Sequence, residues 1–173
     1  VAMSPNNLIC ARLLSRDVKH VLDKSLLVHR LNVCLSLRER LFDKRSYRQV
    51  YGDSDLLPGL VVDRFFDILV VQLASATMEA HKDDVLAALI QVCKPSGILF
   101  KNDSSARDAE GLERYVATAY GEVPEWVALE ENGVKFEAPV IQGQKTGWFY
   151  DHRMNRARLA PYVKGKRVLD LFS

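Results

Sequence analysis

Residues 60–74 read LVVDRFFDILVVQLA, and this stretch decides the fold. Two runs rich in Val, Leu and Ile, residues 60–65 and 68–74, lie on either side of Phe66-Asp67. That spacing predicts two strands joined by a tight turn. Upstream, residues 47–51 (YRQVY) predict another strand, with Gly52-Asp-Ser-Asp and Pro58-Gly59 supplying the loop between. Downstream, a helix is expected from about Met78 to Val92, with Val85, Leu86, Leu89, Ile90 and Cys93 on its buried side. Lys94-Pro95-Ser96-Gly97 stops it, and residues 98–101 (ILFK) predict a further strand. Residues 126–130 and 134–138 flank Glu131-Asn132-Gly133, and Asn-Gly between two such runs is a strong hairpin signal.

Ahead of this unit, Asp23 or Ser25 can cap a helix to about Phe42, where Leu22, Leu26, Leu27, Leu31, Cys34 and Leu41 recur at three- and four-residue intervals. Its polar residues, Lys24, Arg30, Arg38, Arg40 and Lys44, are expected to form a basic outer surface. Cys34 falls on the apolar side and reads as a buried structural thiol. Residues 7–14 (NLICARLL) suggest a short terminal strand. The expected class is α+β: four to six mostly antiparallel strands with one or two packed helices, preceded by an N-terminal helix.

The last section changes character. A polar loop bracketed by Gly143 and Gly147 leads into Trp148-Phe149-Tyr150, Asp151 is placed to cap a helix to about Tyr162, and Lys164-Gly165-Lys166 ends it. Residues 168–172 (VLDLF) form an apolar run with one acid inside, the pattern of a parallel strand that opens a β-α-β unit. Such a strand is where open α/β folds begin a nucleotide site, so the chain reads as reaching only the start of such a domain.

The 173 residues hold 48% hydrophobic residues and a net charge of +2, enough apolar material for a core. No run of about 18 apolar residues occurs, so no membrane span is expected. Residues 1–7 are too short and polar for a signal peptide. Cys10, Cys34 and Cys93 are far apart and form no C-x-x-C pair, which argues against a disulfide framework or zinc knuckle and for a reducing compartment. The near-neutral total hides segregation: net +6 over residues 1–50, −3 over 51–101, −6 over 102–137 and +5 over 138–173. Residues 152–167 carry Arg153, Arg156, Arg158, Lys164, Lys166 and Arg167 with no acid, a pattern that fits a polyanion as well as a solvated helix face.

Residues 143–156 (GQKTGWFYDHRMNR) concentrate function-capable groups. Lys145 and Thr146 are donors on a bendable loop, Phe149 and Tyr150 offer stacking surfaces, and Asp151, Arg153 and Asn155 can pin a polar ligand. The competing reading makes Trp148 and Phe149 core anchors and Asp151 a helix cap. The segment lacks P-loop spacing. Asp53, Asp55 and Asp63 lack the EF-hand pattern, and turn chemistry accounts better for Asp53 and Asp55. His20, His29, His81 and His152 fit no metal pattern, and no catalytic nucleophile is identified by spacing.

Four stretches together resemble the cytosine-5 methyltransferases of large-subunit ribosomal RNA: ARLLSRD at residues 11–17, YGDSDLLPGLVVDRF at 51–65, GQKTGWFYDHRMNR at 143–156 and KGKRVLDLFS at 164–173. The third follows the family pattern GQKTGFF-x-D-x-R-x-N-R except for Trp148 in place of the first Phe. The family has a PUA-type RNA-binding domain, a central α+β domain and a Rossmann-like domain that binds S-adenosylmethionine. The resemblance therefore implies a PUA-type tail at residues 1–18, a linker helix at 19–45, the central domain at 46–140 and the first part of the methyltransferase domain at 141–173, truncated after its first strand.

It also implies cofactor contacts at Lys145, Thr146, Phe149, Asp151, Arg153, Asn155, Asp170, Phe172 and Ser173, and RNA contacts at Arg153, Arg156, Arg158, Lys164 and Lys166. The cysteine that adds to the base, in this chemistry, would lie beyond Ser173, so the chain alone is expected to be inactive. Ribosomal RNA is the implied partner, a homodimer is left open, no membrane is involved, and the expected compartment is the cytoplasm. The rival expectations are a non-enzymatic RNA-binding or scaffold module and a related methyltransferase with a different target.

Overall fold

The computed structural model describes residues 1–171. Its centre is a five-stranded mixed sheet of β3 (Ser46–Tyr51), β4 (Leu60–Phe65), β5 (Ile68–Leu73), β6 (Gly97–Asn102) and β7 (Tyr115–Gly121), in that spatial order. The β3–β4, β4–β5 and β6–β7 pairs are antiparallel, and β5–β6 is parallel. The parallel pair exists because the chain crosses over through α2 (Ala76–Ala80) and α3 (Lys82–Cys93) before returning to the sheet. The stretch at residues 60–74 forms the expected hairpin, with Phe65 opposite Ile68 and Phe66 in the left-handed region at a φ of 54°.

One sheet face is closed by α1 (Lys24–Leu41) and α3. Leu27, Leu31 and Cys34 of α1 and Val85, Ala88 and Leu89 of α3 pack with Val62, Leu69, Val71, Ile98 and Phe100. Asp23 caps α1 by accepting from the Leu26 amide at 2.8 Å. Burial pushes the thiols of Cys34 and Cys93 up to about 12 and about 11, as befits packed rather than reactive groups. The opposite face is covered by the hairpin β8 (Trp126–Glu131) and β9 (Val134–Pro139), together with the chain that follows it. Val127, Leu129, Ala138, Val140 and Tyr150 there pack on Phe65, Val70 and Leu99.

Several sequence expectations are corrected. Arg30 and Arg38 are buried rather than part of a basic outer surface. Arg38 sits four residues after Cys34 on the inward face, where it makes a bidentate pair with Asp55 at 2.9 and 2.6 Å. Arg30 donates to the carbonyls of Leu14 and Leu56. Asp55 is thus the buried partner of a helix arginine as well as a turn residue. The terminal strand at residues 7–14 is instead a minimal pairing of β1 (Ala2–Met3) with β2 (Ala11–Arg12). The helix expected over residues 78–92 is broken at His81 into α2 and α3. β7, absent from the sequence reading, is an exposed edge strand whose β-forming Tyr115, Val116, Thr118 and Tyr120 were its available signal.

The strand expected at residues 168–172 is not formed over its described part. Residues 168–171 pair with no other strand, and Val168, Leu169 and Leu171 are exposed, because no described element covers them. Phe172 and Ser173 lie outside the described residues.

Truncating Leu69 to Ala in the centre of the sheet is expected to cost about 2–5 kcal/mol, against about 0.5 kcal/mol or less for Val116→Ala on the exposed β7 edge. Urea unfolding of the two variants measures the difference.

Candidate functional site

The site is built from residues 143–156, which fold back over the end of β9 and the sheet face that carries Asp63. The two glycines that bracket its loop serve close backbone approach. A Cβ on Gly143 would lie 2.0 Å from the Pro139 carbonyl oxygen, and one on Gly147 would lie 2.9 Å from the same atom. Gly147 also adopts a φ of 105°, which side chains rarely take.

Between the glycines the chain divides its groups. Thr146 is fully buried, and its hydroxyl donates to Asp63 Oδ2 at 2.5 Å. Asp63, on β4, also accepts a bidentate pair from Arg48 of β3 at 2.8 and 3.0 Å. Lys145 points the other way: it is exposed, and its ammonium lies 4.4 Å from the Phe149 ring centroid, a cation–π distance.

The aromatic triplet is packed in a graded manner. Tyr150 is buried against Phe65 with ring centroids 5.4 Å apart, and its hydroxyl donates to the Arg64 carbonyl at 2.8 Å. Burial, reinforced by the nearby Asp63 charge, pushes the Tyr150 phenol well above its usual range, so it stays a neutral donor. Trp148 packs on Phe136 at 4.4 Å between centroids and donates from Nε1 to Glu131 at 3.1 Å. Phe149 is half-buried. The anchor reading therefore holds for Trp148 and only in part for Phe149, whose ring stays partly open, while Tyr150, expected as a stacking surface, is instead buried in the core.

Glu131, the last residue of β8, gathers the remaining contacts. Arg156 donates to it from Nε at 2.5 Å and from Nη2 at 3.0 Å, and Arg153 donates from Nε at 3.3 Å. Arg156 also donates to the Phe149 carbonyl at 2.7 Å, and Arg153 to the Ser46 carbonyl. Each guanidinium stacks on an aromatic ring, Arg156 on Trp148 at 4.5 Å and Arg153 on Phe42 at 4.6 Å. Burial alone would raise the Glu131 pKa, but the donors from Arg156 and Trp148 and the two arginine charges outweigh it and hold the carboxyl below the ordinary glutamate value.

Asp151 does not cap α4 (Arg153–Val163). It lies inside a single 3₁₀ turn, Tyr150–His152, that runs straight into the helix, and His152 occupies the cap position without a side-chain bond. Asp151 is exposed beside His152, 3.5 Å from its ring. Of the residues singled out from sequence, Lys145, Phe149, Asp151 and Asn155 thus present groups to solvent, while Thr146 and Arg153 are engaged within the fold. Asp170 is exposed, and Phe172 and Ser173 lie outside the described residues.

Among the basic residues, Arg156 and Arg153 are ion-paired, whereas Arg158, Lys164 and Lys166 are exposed and have no acid partner among the described residues. Sequence reasoning missed Glu131, which reads locally as a turn-flanking acid. Its signal is the pair of arginines three residues apart in an acid-free segment. No group of His, Cys, Asp and Glu that could hold a metal ion occurs among the described residues.

No protein-family model matches the chain. It is 40% identical over 176 residues to ribosomal RNA large subunit methyltransferase I of Aliivibrio fischeri strain MJ11, a match covering 99% of this chain and 44% of that protein. The protein of the same name from Pseudoalteromonas translucida is 37% identical over equal shares. The chain therefore spans less than half the length of these relatives. Among solved structures, a candidate SAM-dependent methyltransferase from Streptococcus mutans superposes with a TM-score of 0.72 at 25% identity, over 85% of this chain and 38% of that one. A second candidate methyltransferase, solved with SAH, gives 0.71 at 24% identity, over 85% and 37%.

Two outcomes test this geometry. Thr146→Val leaves Asp63 one donor short in a dry setting and is expected to cost about 1–3 kcal/mol, read by urea unfolding. The depressed Glu131 pKa adds stability that is complete above its unfolded-state value near 4.5 and is lost as pH falls through the lower folded-state value. The melting-temperature gap between the wild type and Glu131→Gln should accordingly be full at pH 7 and shrink below pH 4.5.

Proposed function

We propose that this chain is the central portion of an S-adenosylmethionine-dependent methyltransferase that acts on large-subunit ribosomal RNA, at C5 of a cytosine. The observation that carries this reading is the 40% identity to a ribosomal RNA large subunit methyltransferase along 99% of the chain. The likeness to a candidate SAM-dependent methyltransferase at a TM-score of 0.72 supports the cofactor. In this reading residues 1–18 belong to a PUA-type domain, residues 46–140 are the central domain, and residues 141–173 begin the methyltransferase domain.

The donor set suits the cofactor, which supplies an activated methyl group when bound. Lys145 offers an ammonium for its carboxylate, Asp151 a carboxylate for its amino group, and the half-buried Phe149 an aromatic edge. Asn155 and Asp170 add exposed polar groups. Thr146 and Arg153 contribute by holding this display in place, through Asp63 and Glu131. Phe172 and Ser173, implied as cofactor contacts by the resemblance, lie outside the described residues. The buried thiols of Cys34 and Cys93, pushed up to about 12 and about 11, are unsuited to attack a base, and the exposed Cys10 lies outside the four stretches that carry the resemblance, so the proposed nucleophile is a cysteine outside this chain.

RNA is assigned to the exposed Arg158, Lys164 and Lys166, with Arg153 and Arg156 secondary because Glu131 already pairs them. No helix among the described residues is long and apolar enough to cross a membrane. The proposed setting is the cytoplasm, with a homodimer as a further option to be read from sedimentation.

A second reading, a non-enzymatic RNA-binding module, is favoured by the unpaired basic cluster alone. The longer protein that contains this chain separates the two. Under the enzyme reading it binds S-adenosylmethionine in a calorimetric titration and methylates a large-subunit RNA fragment, whereas RNA binding with no cofactor heat favours the module. Changing Arg158, Lys164 and Lys166 together to Ala is expected to lower the slope of log affinity against log salt by about 2, since each phosphate contact to a single strand contributes about 0.7.

A further inference from the structure

Glu131 ends β8 at a hairpin tip, immediately before the exposed Asn132-Gly133 turn, a place where an acid is ordinarily solvated. Here it is only 5% exposed. Taking a carboxylate out of water is costly unless donors replace the lost hydration. Its side-chain donors are Trp148, Arg153 and Arg156, and all come from residues 148–156. A single acid on the hairpin therefore satisfies itself entirely from the segment proposed to hold the cofactor.

The consequence is rotational. Successive residues of an α-helix turn by about 100°, so Arg153 and Arg156 share one side of α4, and Asn155 and Arg158 lie on the other. By drawing the two arginines inward, Glu131 fixes which side of α4 is left outward. The frame is closed by Arg156 donating to the Phe149 carbonyl and by the Asn132 side-chain amide donating to the Arg153 carbonyl at 3.1 Å. Asp151 and Phe149 lie within this closed frame, and Lys145 rests its ammonium on the Phe149 ring.

We infer that Glu131 is a positioning residue for the cofactor: it sets the rotation of α4 and the seat of the Trp148–Arg156 turn, so that Asp151, Asn155 and Phe149 are displayed together for S-adenosylmethionine. This rests on the methyltransferase reading above. Glu131 itself touches neither cofactor nor RNA and acts through Trp148, Arg153 and Arg156.

The test uses the longer protein that contains this chain, comparing wild type, Glu131→Gln, Glu131→Asp and Arg156→Lys. Glu131→Gln is expected to raise the KM for S-adenosylmethionine about tenfold with kcat and the KM for RNA within about twofold. Glu131→Asp, which restores the charge, should recover part of that loss, and Arg156→Lys, which keeps the charge but loses the paired geometry, should raise the cofactor KM about threefold. Trp148 emission should shift in Glu131→Gln, reporting release of the indole. If Glu131→Gln does not fold, Arg156→Lys, at a more exposed position, decides. A cofactor KM unchanged in both variants, with the wild type active, overturns the positioning role alone. A wild-type protein that binds no cofactor overturns the methyltransferase reading and this inference with it.

Discussion

Asp63 is a carboxylate with no solvent exposure, set on β4 directly opposite Arg48 of β3, and the arrangement of one whole sheet face follows from it. A buried charge left unpaired costs several kcal/mol, so its partners have to be held in place. Arg48 meets it across the strand pair, where the β3–β4 register shifts between Arg48 and Val50. Thr146 meets it from a loop 83 residues further along the chain. That last bond pins residues 143–147 to the sheet, and Gly143 and Gly147 let the same loop pack its backbone against Pro139 at the end of β9.

The two faces of the sheet are consequently different in kind. The face under α1 and α3 is chiefly an apolar core, and the arginines that enter it are satisfied locally: Arg30 by carbonyls, Arg38 by Asp55 at the helix margin and Arg64 by the carbonyls of Phe66 and Cys93. The other face mixes apolar packing with two buried acids: Glu131 is satisfied by the segment that follows β9, and Asp63 by Thr146 of that segment together with Arg48 of β3. Packing and hydrogen bonding thus serve the same end there. The segment is held by its buried side chains, and its exposed ones are displayed in a defined geometry.

This division also resolves the charge pattern of the C-terminal section. Counted along the chain, residues 152–167 are uniformly basic. In space the cluster splits: Arg153 and Arg156 are turned inward onto Glu131 and stacked on Phe42 and Trp148, leaving Arg158, Lys164, Lys166 and Arg167 as the charge available to a polyanion. Fewer cations are free than the sequence count suggests, and those that remain lie toward one end.

The strands at residues 46–51, 60–65 and 68–73, helix α1 with its Asp23 cap, and the Asn132-Gly133 hairpin were all legible in the sequence, because period, caps and turn residues are local properties. The candidate segment at residues 143–156 was legible too, as a dense polar and aromatic motif. What the sequence could not express was pairing at a distance. Arg30 and Arg38 read as surface charge because their partners come from distant loops, and Glu131 read as a turn residue because its three donors arrive from 17 to 25 positions later. Local rules decide which element forms, but whether a charged group faces water depends on whether another part of the chain brings it a partner, and only the tertiary structure decides that.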